Sequence, residues 1–179
     1  MLIDTEFSGF NLQKHEILQL AGVLLDKKTL AEKKCFNSYV RPTKWKHRDP
    51  ASMKINGITL KIIKGAPSLK EVIKAFDRTF GPDVLLSSYV GFADKKYLFS
   101  AYEKVGIKWK FDYHYFDVWS ACFVRLGIKN ELTDKKDFAG FGLKSLIKKY
   151  KIKSPHLHDA LADCRVEAEI LRRVIKDLK

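Results

Sequence analysis

The chain has 179 residues, of which 46% are hydrophobic and 31% are charged, and its 34 basic residues outnumber its 21 acidic residues. This composition excludes a disordered chain and predicts a single domain, residues 1–179, with one hydrophobic core. The formal net charge of +13 favours nucleic acid as a partner, although a lysine-rich surface also serves solubility.

The cysteines and the apolar segments bear on where the protein works. Cys35, Cys122 and Cys164 lie far apart and match neither a disulfide framework nor a zinc-binding spacing, which favours a reducing compartment. No apolar run reaches the roughly 18 residues that a membrane span needs, and no signal-peptide pattern opens the chain. We therefore predict an intracellular protein, in the cytoplasm, nucleus or nucleoid, with no membrane partner.

The first part of the chain predicts an antiparallel meander. Three apolar segments follow one another through short connections, as strands of a meander do. The small residues Ser8 and Gly9 follow the first segment, and Pro42 stops the third. The predicted strands are Met1–Thr5, Glu16–Asp26 and Lys34–Arg41.

The later part of the chain alternates between helices and strands. Ser68 and Glu71 have the spacing of a capping box, and apolar residues follow at helical spacing up to Gly81. With the meander, this predicts an α/β fold whose mixed five-stranded sheet, antiparallel and then parallel, is flanked by helices. The predicted strands are 84–86 and Phe111–Asp117, and the predicted helices are 69–80, Asp94 to about Val105, Val118–Leu126, Leu143–Tyr150 and Asp159 to about Asp177.

Asp4 and Glu6 form an acidic pair at the end of the first predicted strand. Side chains two residues apart on a strand share one face, so both carboxylates can converge on one point. Like charges held together repel unless a cation lies between them, and hard oxygen ligands suit magnesium or manganese. An ordinary solvent-facing pair is the alternative interpretation, because Asp-x-Glu alone is common.

A histidine and an aspartate lie close together near the C-terminus. His158 and Asp163 are five residues apart, so they would not share a face if both lay well inside a helix. We therefore place His158 on the loop or first turn, with Asp159 as a candidate N-cap and Asp163 further along the helix. His156 is a nearby competitor for any role of His158, and a structural histidine is the alternative.

These motifs resemble those of the DEDD superfamily of 3′–5′ exonucleases, the DnaQ-like proteins, in the DEDDh branch that carries a catalytic histidine. Asp4-Thr5-Glu6 matches the first motif, and His158 to Asp163 matches the third, with Ala160 and Leu161 between. Asp94 occupies the place of the second motif, an aspartate that opens a helix after the fourth strand. Two departures stand near it, since Ser88-Tyr89 replaces the usual His-Asn and Ala93 replaces the usual Phe. Asp77 and Asp83 are its rivals.

The resemblance implies a ribonuclease H-like fold and a metal-dependent exonuclease that releases nucleoside 5′-monophosphates from single-stranded DNA or RNA 3′ ends. It implies two Mg²⁺ or Mn²⁺ ions, one held by Asp4, Glu6 and Asp163 and a second shared through Asp4. Asp94 would act directly or through water. His158 would be the general base, a role that suits the near-neutral pKa of histidine in general.

Nucleic-acid contacts are predicted at two kinds of residue. Phe7 and Phe10, beside the acidic pair, could stack on the terminal base, with core packing as the alternative. Basic residues could guide the strand through its phosphates, with a solvated surface as the alternative. The basic candidates are Lys44, Lys46, His47 and Arg48, or else Lys144, Lys148, Lys149, Lys151 and Lys153.

Other functions stay open at this point. The chain could be a catalytically weak nucleic-acid-binding domain, or a polymerase-associated proofreading subunit that needs its partner. The resemblance also admits a homodimer. Preference between DNA and RNA rests on contacts to the 2′-hydroxyl, and no motif reports them.

Overall fold

A computed structural model describes residues 1–128, 142–153 and 157–176, and the structural statements that follow concern these residues. Five strands form one mixed sheet in the order β3-β2-β1-β4-β5. Strands β1 to β3 are antiparallel, so the predicted meander is confirmed, and β1, β4 and β5 run parallel. The strands are β1 (Leu2–Phe7), β2 (Ile17–Leu25), β3 (Glu32–Tyr39), β4 (Leu86–Ser88) and β5 (Tyr115–Asp117).

Seven α-helices accompany this sheet in the described part of the chain. The capping box of Ser68 and Glu71 begins α3 as predicted, with the Glu71 carboxylate accepting a bond of 2.7 Å from the Ser68 backbone N–H. Neither α1 nor α2 was predicted from the sequence. The helices are α1 (Pro50–Asn56), α2 (Leu60–Ile63), α3 (Leu69–Phe80), α4 (Gly91–Lys104), α5 (Val118–Ile128), α6 (Leu143–Tyr150) and α7 (Ala160–Lys176).

The sheet is covered on both faces, because alternate residues of β1 and β2 are buried on opposite sides. Leu2 packs among residues of α5, α6 and α7 on one face. Ile3 packs among residues of α3 and α4 on the other face. Each of these two side chains is at most 1% exposed, and burying an aliphatic side chain of this size stabilises a fold by about 1.5–3 kcal/mol. The α7 face of β1 therefore also carries Asp4 and Glu6.

Several boundaries differ from the predicted ones. Strand β1 extends to Phe7, because Glu6 pairs with Gln19 and Phe7 with Ile17 beyond the predicted end. Strand β5 is limited to Tyr115–Asp117, because the three residues of β4 offer it only three partners. Helix α4 begins at Gly91, three residues before Asp94. The described residues include no helix whose length and apolarity would carry it through a membrane.

Candidate active site

Asp4 and Glu6 lie at the carboxyl end of β1, on the face that α7 covers. Both side chains are partly exposed. Ile3, which precedes the pair, and Thr5, which lies between its members, are buried on the opposite face. The register of the β1–β2 pair shifts between Glu6 and Phe7, where the regular ladder ends. The alternation therefore puts both carboxylates at one edge of the sheet, where the chain leaves its strand.

Asp94 reaches this edge from the first turn of α4. Its Oδ1 accepts hydrogen bonds from the Thr5 backbone N–H at 3.0 Å and from the Thr5 hydroxyl at 2.6 Å. Strand β4 pairs with β1 only at Leu2 and Ser87, so the N–H of Thr5 has no strand partner on that side. The Asp94 carboxylate takes the place of that partner, and this holds it beside the acidic pair of β1.

The two rivals of Asp94 lie elsewhere. Asp77 is in α3, where it accepts a hydrogen bond from the Tyr102 hydroxyl and pairs with Lys110 at 2.8 Å. Asp83 is exposed and precedes β4, at the end of that strand opposite to Asp94. Neither contacts the carboxyl end of β1.

The start of α7 is tied to the sheet through Gln19. This residue of β2 pairs with Glu6 across the strands and is 1% exposed. Its side-chain amide donates to Asp159 Oδ2 at 2.9 Å, and its Oε1 accepts from the Ala160 N–H at 3.3 Å. Asp159 Oδ1 in turn accepts from the Ala162 N–H at 3.0 Å, as an N-cap does. Gln19 therefore fixes the beginning of α7 directly beside Glu6.

His158 and Asp163 meet Glu6 at this junction. His158 lies before the helix, as the sequence predicted, with a left-handed φ of 68°. Its backbone N–H donates to Asp163 Oδ2 at 3.0 Å. Within the described residues, one ligand atom each of Glu6, His158 and Asp163 lies within 4.8 Å of the other two. Because His158 lies before α7 in a left-handed conformation, a histidine five residues from the aspartate lies near the same point. His156, its competitor, lies outside the described residues.

The clustered carboxylates hold protons more tightly than isolated ones do. Burial raises the pKa of Glu6 to about 8, and the nearby charges of Asp163, Asp94 and Asp159 add to the rise. Burial raises the pKa of Asp4 well above its usual range, with Asp94 the largest of the neighbouring charges. Burial raises the pKa of Asp94 to about 6 against the hydrogen bonds from Thr5, which lower it. The site concentrates negative charge that its own residues do not neutralise.

The chemistry of these groups fits a hard divalent cation. Asp163 is 5% exposed, and its Oδ1 is buried without a hydrogen-bond partner, although a buried carboxylate oxygen normally has one. A cation at that oxygen would satisfy it and would offset the repulsion among Asp4, Glu6 and Asp94. Carboxylate oxygens with one imidazole nitrogen are a donor set that magnesium, manganese and zinc accept.

The predicted aromatic contacts lie beside the acidic pair. Phe7 stacks on Tyr97 with ring centroids 3.8 Å apart, and it is partly buried against the α4 side of the core. Phe10 makes an edge contact with Phe7 at 6.2 Å and is 74% exposed. The Asn56 amide donates to the Phe7 carbonyl at 3.0 Å and anchors this turn. Phe7 is therefore mainly a packing residue, whereas most of the Phe10 ring is accessible to a ligand.

The predicted basic contacts follow in the next segment. The backbone N–H of Asp49 donates to the Ser8 carbonyl at 2.7 Å, which joins this segment to the end of β1. Lys44, Lys46 and Arg48 are all exposed. The Lys44 ammonium donates to the Gln13 carbonyl at 2.9 Å, and the Arg48 guanidinium lies 4.9 Å from the centre of the Trp45 ring. The alternative cluster lies on and after α6, where Lys151 and Lys153 line a cleft beside Arg165.

Four further residues of the site were not found from the sequence. Gln19 carries a signal that could have been read, since it is the polar member of an otherwise apolar strand. Glu167 carries one too, since it lies one helical turn beyond Asp163. Phe92, two positions before Asp94, is 75% exposed, with the Lys96 ammonium 5.0 Å from its ring centre. Thr5 carries no such signal, because its role depends on the gap between β1 and β4.

The role of Gln19 in seating α7 predicts a loss of stability when it is replaced. In Gln19→Leu, the buried N–H of Ala160 and one oxygen of Asp159 lose their partner. We expect the free energy of unfolding to fall by about 1–3 kcal/mol in urea titrations. Asn37→Ala is the control, because it removes only an exposed second acceptor of the same Gln19 amide nitrogen and should cost less than about 0.5 kcal/mol. A Gln19→Leu variant as stable as the unmodified chain would refute this role.

Comparison with protein families and curated proteins gives consistent matches over nearly the whole chain. The exonuclease family model RNase_T matches residues 1–171. The epsilon subunit of DNA polymerase III from Aquifex aeolicus is 27% identical over 182 residues, which cover 99% of this chain and 81% of that protein. A PolC-type DNA polymerase III from Listeria innocua is 26% identical over 186 residues, which cover 99% of this chain. The chain spans 11% of the length of that polymerase.

Solved structures share the fold. The nuclease domain of 3′hExo, described as a DEDDh family member and bound to rAMP, superimposes with a TM-score of 0.77 and 20% identity over 98% of this chain and 90% of that one. Escherichia coli exonuclease I in complex with a dT13 oligonucleotide gives a TM-score of 0.81 and 17% identity over 97% of this chain and 40% of that one. A zinc-bound form of the exonuclease I–single-stranded DNA complex superimposes with a TM-score of 0.82. The predicted ribonuclease H-like fold is thereby confirmed.

Proposed function

This chain belongs to the exonuclease family, and we propose that it is a metal-dependent 3′–5′ exonuclease of the DEDDh type that releases nucleoside 5′-monophosphates from single-stranded ends. One observation carries the proposal. Carboxylates from three separate elements, β1, α4 and α7, converge with an imidazole at the carboxyl end of β1. An assembly of buried like charges is unfavourable for folding, so a ligand of opposite charge explains it better than stability does.

The acidic residues would hold two divalent cations of the kind on which the exonuclease family depends. Asp4, Glu6 and Asp163 would bind one, Asp4 would share its carboxylate with the second, and Asp94 would complete the set directly or through water. Two such ions stabilise the attacking and leaving oxygens of a phosphodiester during an in-line displacement. Thr5 and Gln19 hold Asp94 and the start of α7 in place, so the ligands are positioned before substrate binds.

His158 would accept the proton of the attacking water. A ring nitrogen of His158 lies within 4.8 Å of carboxylate oxygens of both Glu6 and Asp163, where a water between the acids and the scissile phosphate would stand. The left-handed turn at His158 leaves its side chain outside the helix and its backbone N–H bound to Asp163. The imidazole can therefore move a proton at a ring nitrogen without disturbing that backbone bond.

The terminal nucleotides would be bound by aromatic and basic side chains around this edge. Phe10 has an exposed ring four residues after Glu6, and Phe92 has one two residues before Asp94, in the first turn of α4. Stacking on such rings tolerates any base. Lys44, Lys46 and Arg48 would contact phosphates further along the strand, and the net charge of +13 supports binding that weakens as salt rises.

A second candidate function is proofreading as part of a polymerase. The similarity to the epsilon subunit of DNA polymerase III favours it, because the match covers 81% of that relative. Residues 1–179 would then be one exonuclease domain working beside a polymerase partner. A proofreading enzyme removes a mismatched 3′ end faster than a paired one, and this property separates the two candidates.

The decisive experiment is digestion of 3′- and 5′-end-labelled oligonucleotides by the purified chain. Single-stranded DNA, single-stranded RNA, and paired and mismatched duplex ends are compared with Mg²⁺, Mn²⁺ and EDTA. We expect metal-dependent release of 3′-terminal mononucleotides, with the single-stranded substrates cut faster than the paired duplex. Products that begin at the 5′ end or within the strand, or no release with either metal, would contradict the proposal. A strong preference for the mismatched duplex end would favour proofreading.

The role proposed for His158 predicts a split between turnover and metal affinity. His158→Gln is expected to lower kcat about 10²-fold, because general acid–base catalysis is lost while the carboxylates remain. The affinity for Mn²⁺ should stay within about threefold of the unmodified chain, a factor worth under 1 kcal/mol. The measurements are a pH–rate profile and a titration with Mn²⁺. The profile should lose the fall in rate at low pH that a general base produces. His114→Gln, an exposed histidine before β5, serves as the control. Equal losses of kcat and Mn²⁺ affinity would make His158 a ligand instead.

A further inference from the structure

Glu167 is a further acidic residue at the carboxylate cluster, beyond the four proposed ligands. It lies four residues after Asp163 in α7, so both side chains project from the same face of the helix toward β1. Only 2% of Glu167 is exposed, less than any of Asp4, Glu6 and Asp94. A glutamate is almost never buried to this degree without a partner of opposite charge.

The surroundings of Glu167 leave half of its carboxylate unused. The backbone N–H of Tyr89, directly after β4, donates one hydrogen bond to it. Its Oε2 is buried and has no hydrogen-bond partner, and Glu167 forms no salt bridge within the described residues. Burial raises the pKa of Glu167 well above its usual range, Asp94 and Asp163 are the largest of the neighbouring charges that add to the rise, and Glu167 is also among the charges that act on Asp4. The free oxygen therefore belongs to the cluster and not to a separate ion pair.

A purely structural role explains this arrangement poorly. Accepting one bond from Tyr89 requires only a neutral side chain, and a glutamine would do so without adding charge. Replacing a buried charged group by a neutral one of the same shape is usually neutral or stabilising, unless the charge has a partner. At a metal centre, the cation is such a partner for an outer carboxylate that holds a ligand or a water. Loss of an outer carboxylate of this kind typically weakens metal binding by about 10- to 100-fold.

We propose that Glu167 is a positioning residue of the metal centre, an outer carboxylate that adds negative charge behind Asp4 and Asp163 and accepts a hydrogen bond from a water ligand of the cation. This inference rests on the proposed function for the existence of the centre. It predicts that Glu167 contributes to cation affinity without being one of the direct ligands.

Glu167→Gln in the full chain tests the proposal, because glutamine keeps the acceptor for Tyr89 and removes the charge. Mn²⁺ alone is titrated calorimetrically, and the melting temperature is measured in EDTA and in Mn²⁺ at pH 8. We expect Mn²⁺ affinity to fall about 10-fold or more, the melting temperature in EDTA to rise, and the stabilisation by Mn²⁺ to shrink. Glu169→Gln is the matched control two residues away, where the carboxylate pairs with Arg172 and Arg173 at the surface. It should leave Mn²⁺ affinity unchanged.

Glu167→Met provides a second, apolar replacement of similar length. It should show the same loss of Mn²⁺ affinity and the same higher melting temperature in EDTA. Mn²⁺ affinity within twofold of the unmodified chain in both variants would overturn the proposal, and so would a lower melting temperature of Glu167→Gln in EDTA. A chain that binds Mn²⁺ in a Glu167-dependent manner but releases no nucleotide would refute the exonuclease function and leave this inference standing.

Discussion

Asp4→Asn is expected to lower the rate of nucleotide release by a factor on the order of 10³ or more, while the variant folds normally. The charges of Asp94, Glu167, Glu6 and Asp163 all raise the pKa of Asp4, so its carboxylate is part of the cluster. An amide has nearly the same shape but only one acceptor oxygen and no charge, so it cannot bridge two cations. The loss should appear in kcat and in Mn²⁺ affinity together, which separates it from the effect of His158→Gln.

Asp83→Asn is the matched control for this prediction. Asp83 is exposed, precedes β4 and is one of the rivals for the second motif, so its replacement should leave activity unchanged. The melting temperature of Asp4→Asn in EDTA should equal or exceed that of the unmodified chain, because one repelling charge has been removed. More than about one tenth of the original activity in Asp4→Asn would be too much for a bridging ligand and would remove Asp4 from the proposed mechanism.

The fold was largely predictable because its signals are local. The meander follows from three apolar segments with short connections, and α3 follows from the capping box and the apolar spacing after it. Helix α1 could have been predicted in the same way. Asp49 caps it with Pro50 in the first turn, and Gly57 ends it with a φ of 65°.

The boundaries that were wrong depend on pairing between distant segments. Whether β1 includes Glu6 is decided by Gln19 on β2, and the length of β5 is decided by the three residues of β4. Local residue preferences contain neither piece of information. The start of α4 at Gly91 likewise depends on tertiary contacts, since the Asp117 carboxylate accepts from the Gly91 N–H at 2.7 Å.

The acidic pair of the candidate site was readable from the two-residue period of a strand, and His158 from the need to lie outside its helix. The contacts that hold these residues in place could not be predicted from the sequence. The hydrogen bond from Thr5 to Asp94 forms because β4 separates from β1 after one paired residue. The start of α7 is held in place because Gln19 donates a hydrogen bond to Asp159. Such contacts join residues about 90 and 140 positions apart, so only the folded topology reveals them.

The same carboxylates predict an unusual dependence of stability on pH when metal is absent. In EDTA, the free energy of unfolding should fall by several kcal/mol between pH 5 and pH 8. The folded-state pKa of Glu6 is raised from 4.5 to about 8, and that of Asp94 from 3.8 to about 6. A folded state that binds protons more tightly than the unfolded chain is favoured below the unfolded pKa, and this advantage is lost as pH rises through the folded pKa.

For Glu6 alone the loss between pH 5 and pH 8 is on the order of 3–4 kcal/mol, at about 1.4 kcal/mol for each pH unit between the two pKa values. The N-terminal amine of Met1 acts in the opposite sense, since burial lowers its pKa to about 6 and stability from that group grows as pH rises. Comparing the unmodified chain with Glu6→Gln at each pH cancels the contribution of the Met1 amine and every other contribution that the two proteins share. The variant should show a clearly shallower decline in urea titrations at pH 5, 6, 7 and 8.

Saturating Mg²⁺ should remove most of this decline, because bound cations neutralise the carboxylates and do so best when no proton competes. Stability at pH 8 would then rise with metal concentration, and the gain would be larger at pH 8 than at pH 5. A flat or rising stability between pH 5 and pH 8 in EDTA would show that the cluster carries little repulsion. A decline that Glu6→Gln retains in full would place its origin outside the site. We therefore expect the site to destabilise the metal-free fold as its acids ionise and to stabilise the fold once cations bind. The proposed chemistry requires the same binding of cations by ionised acids.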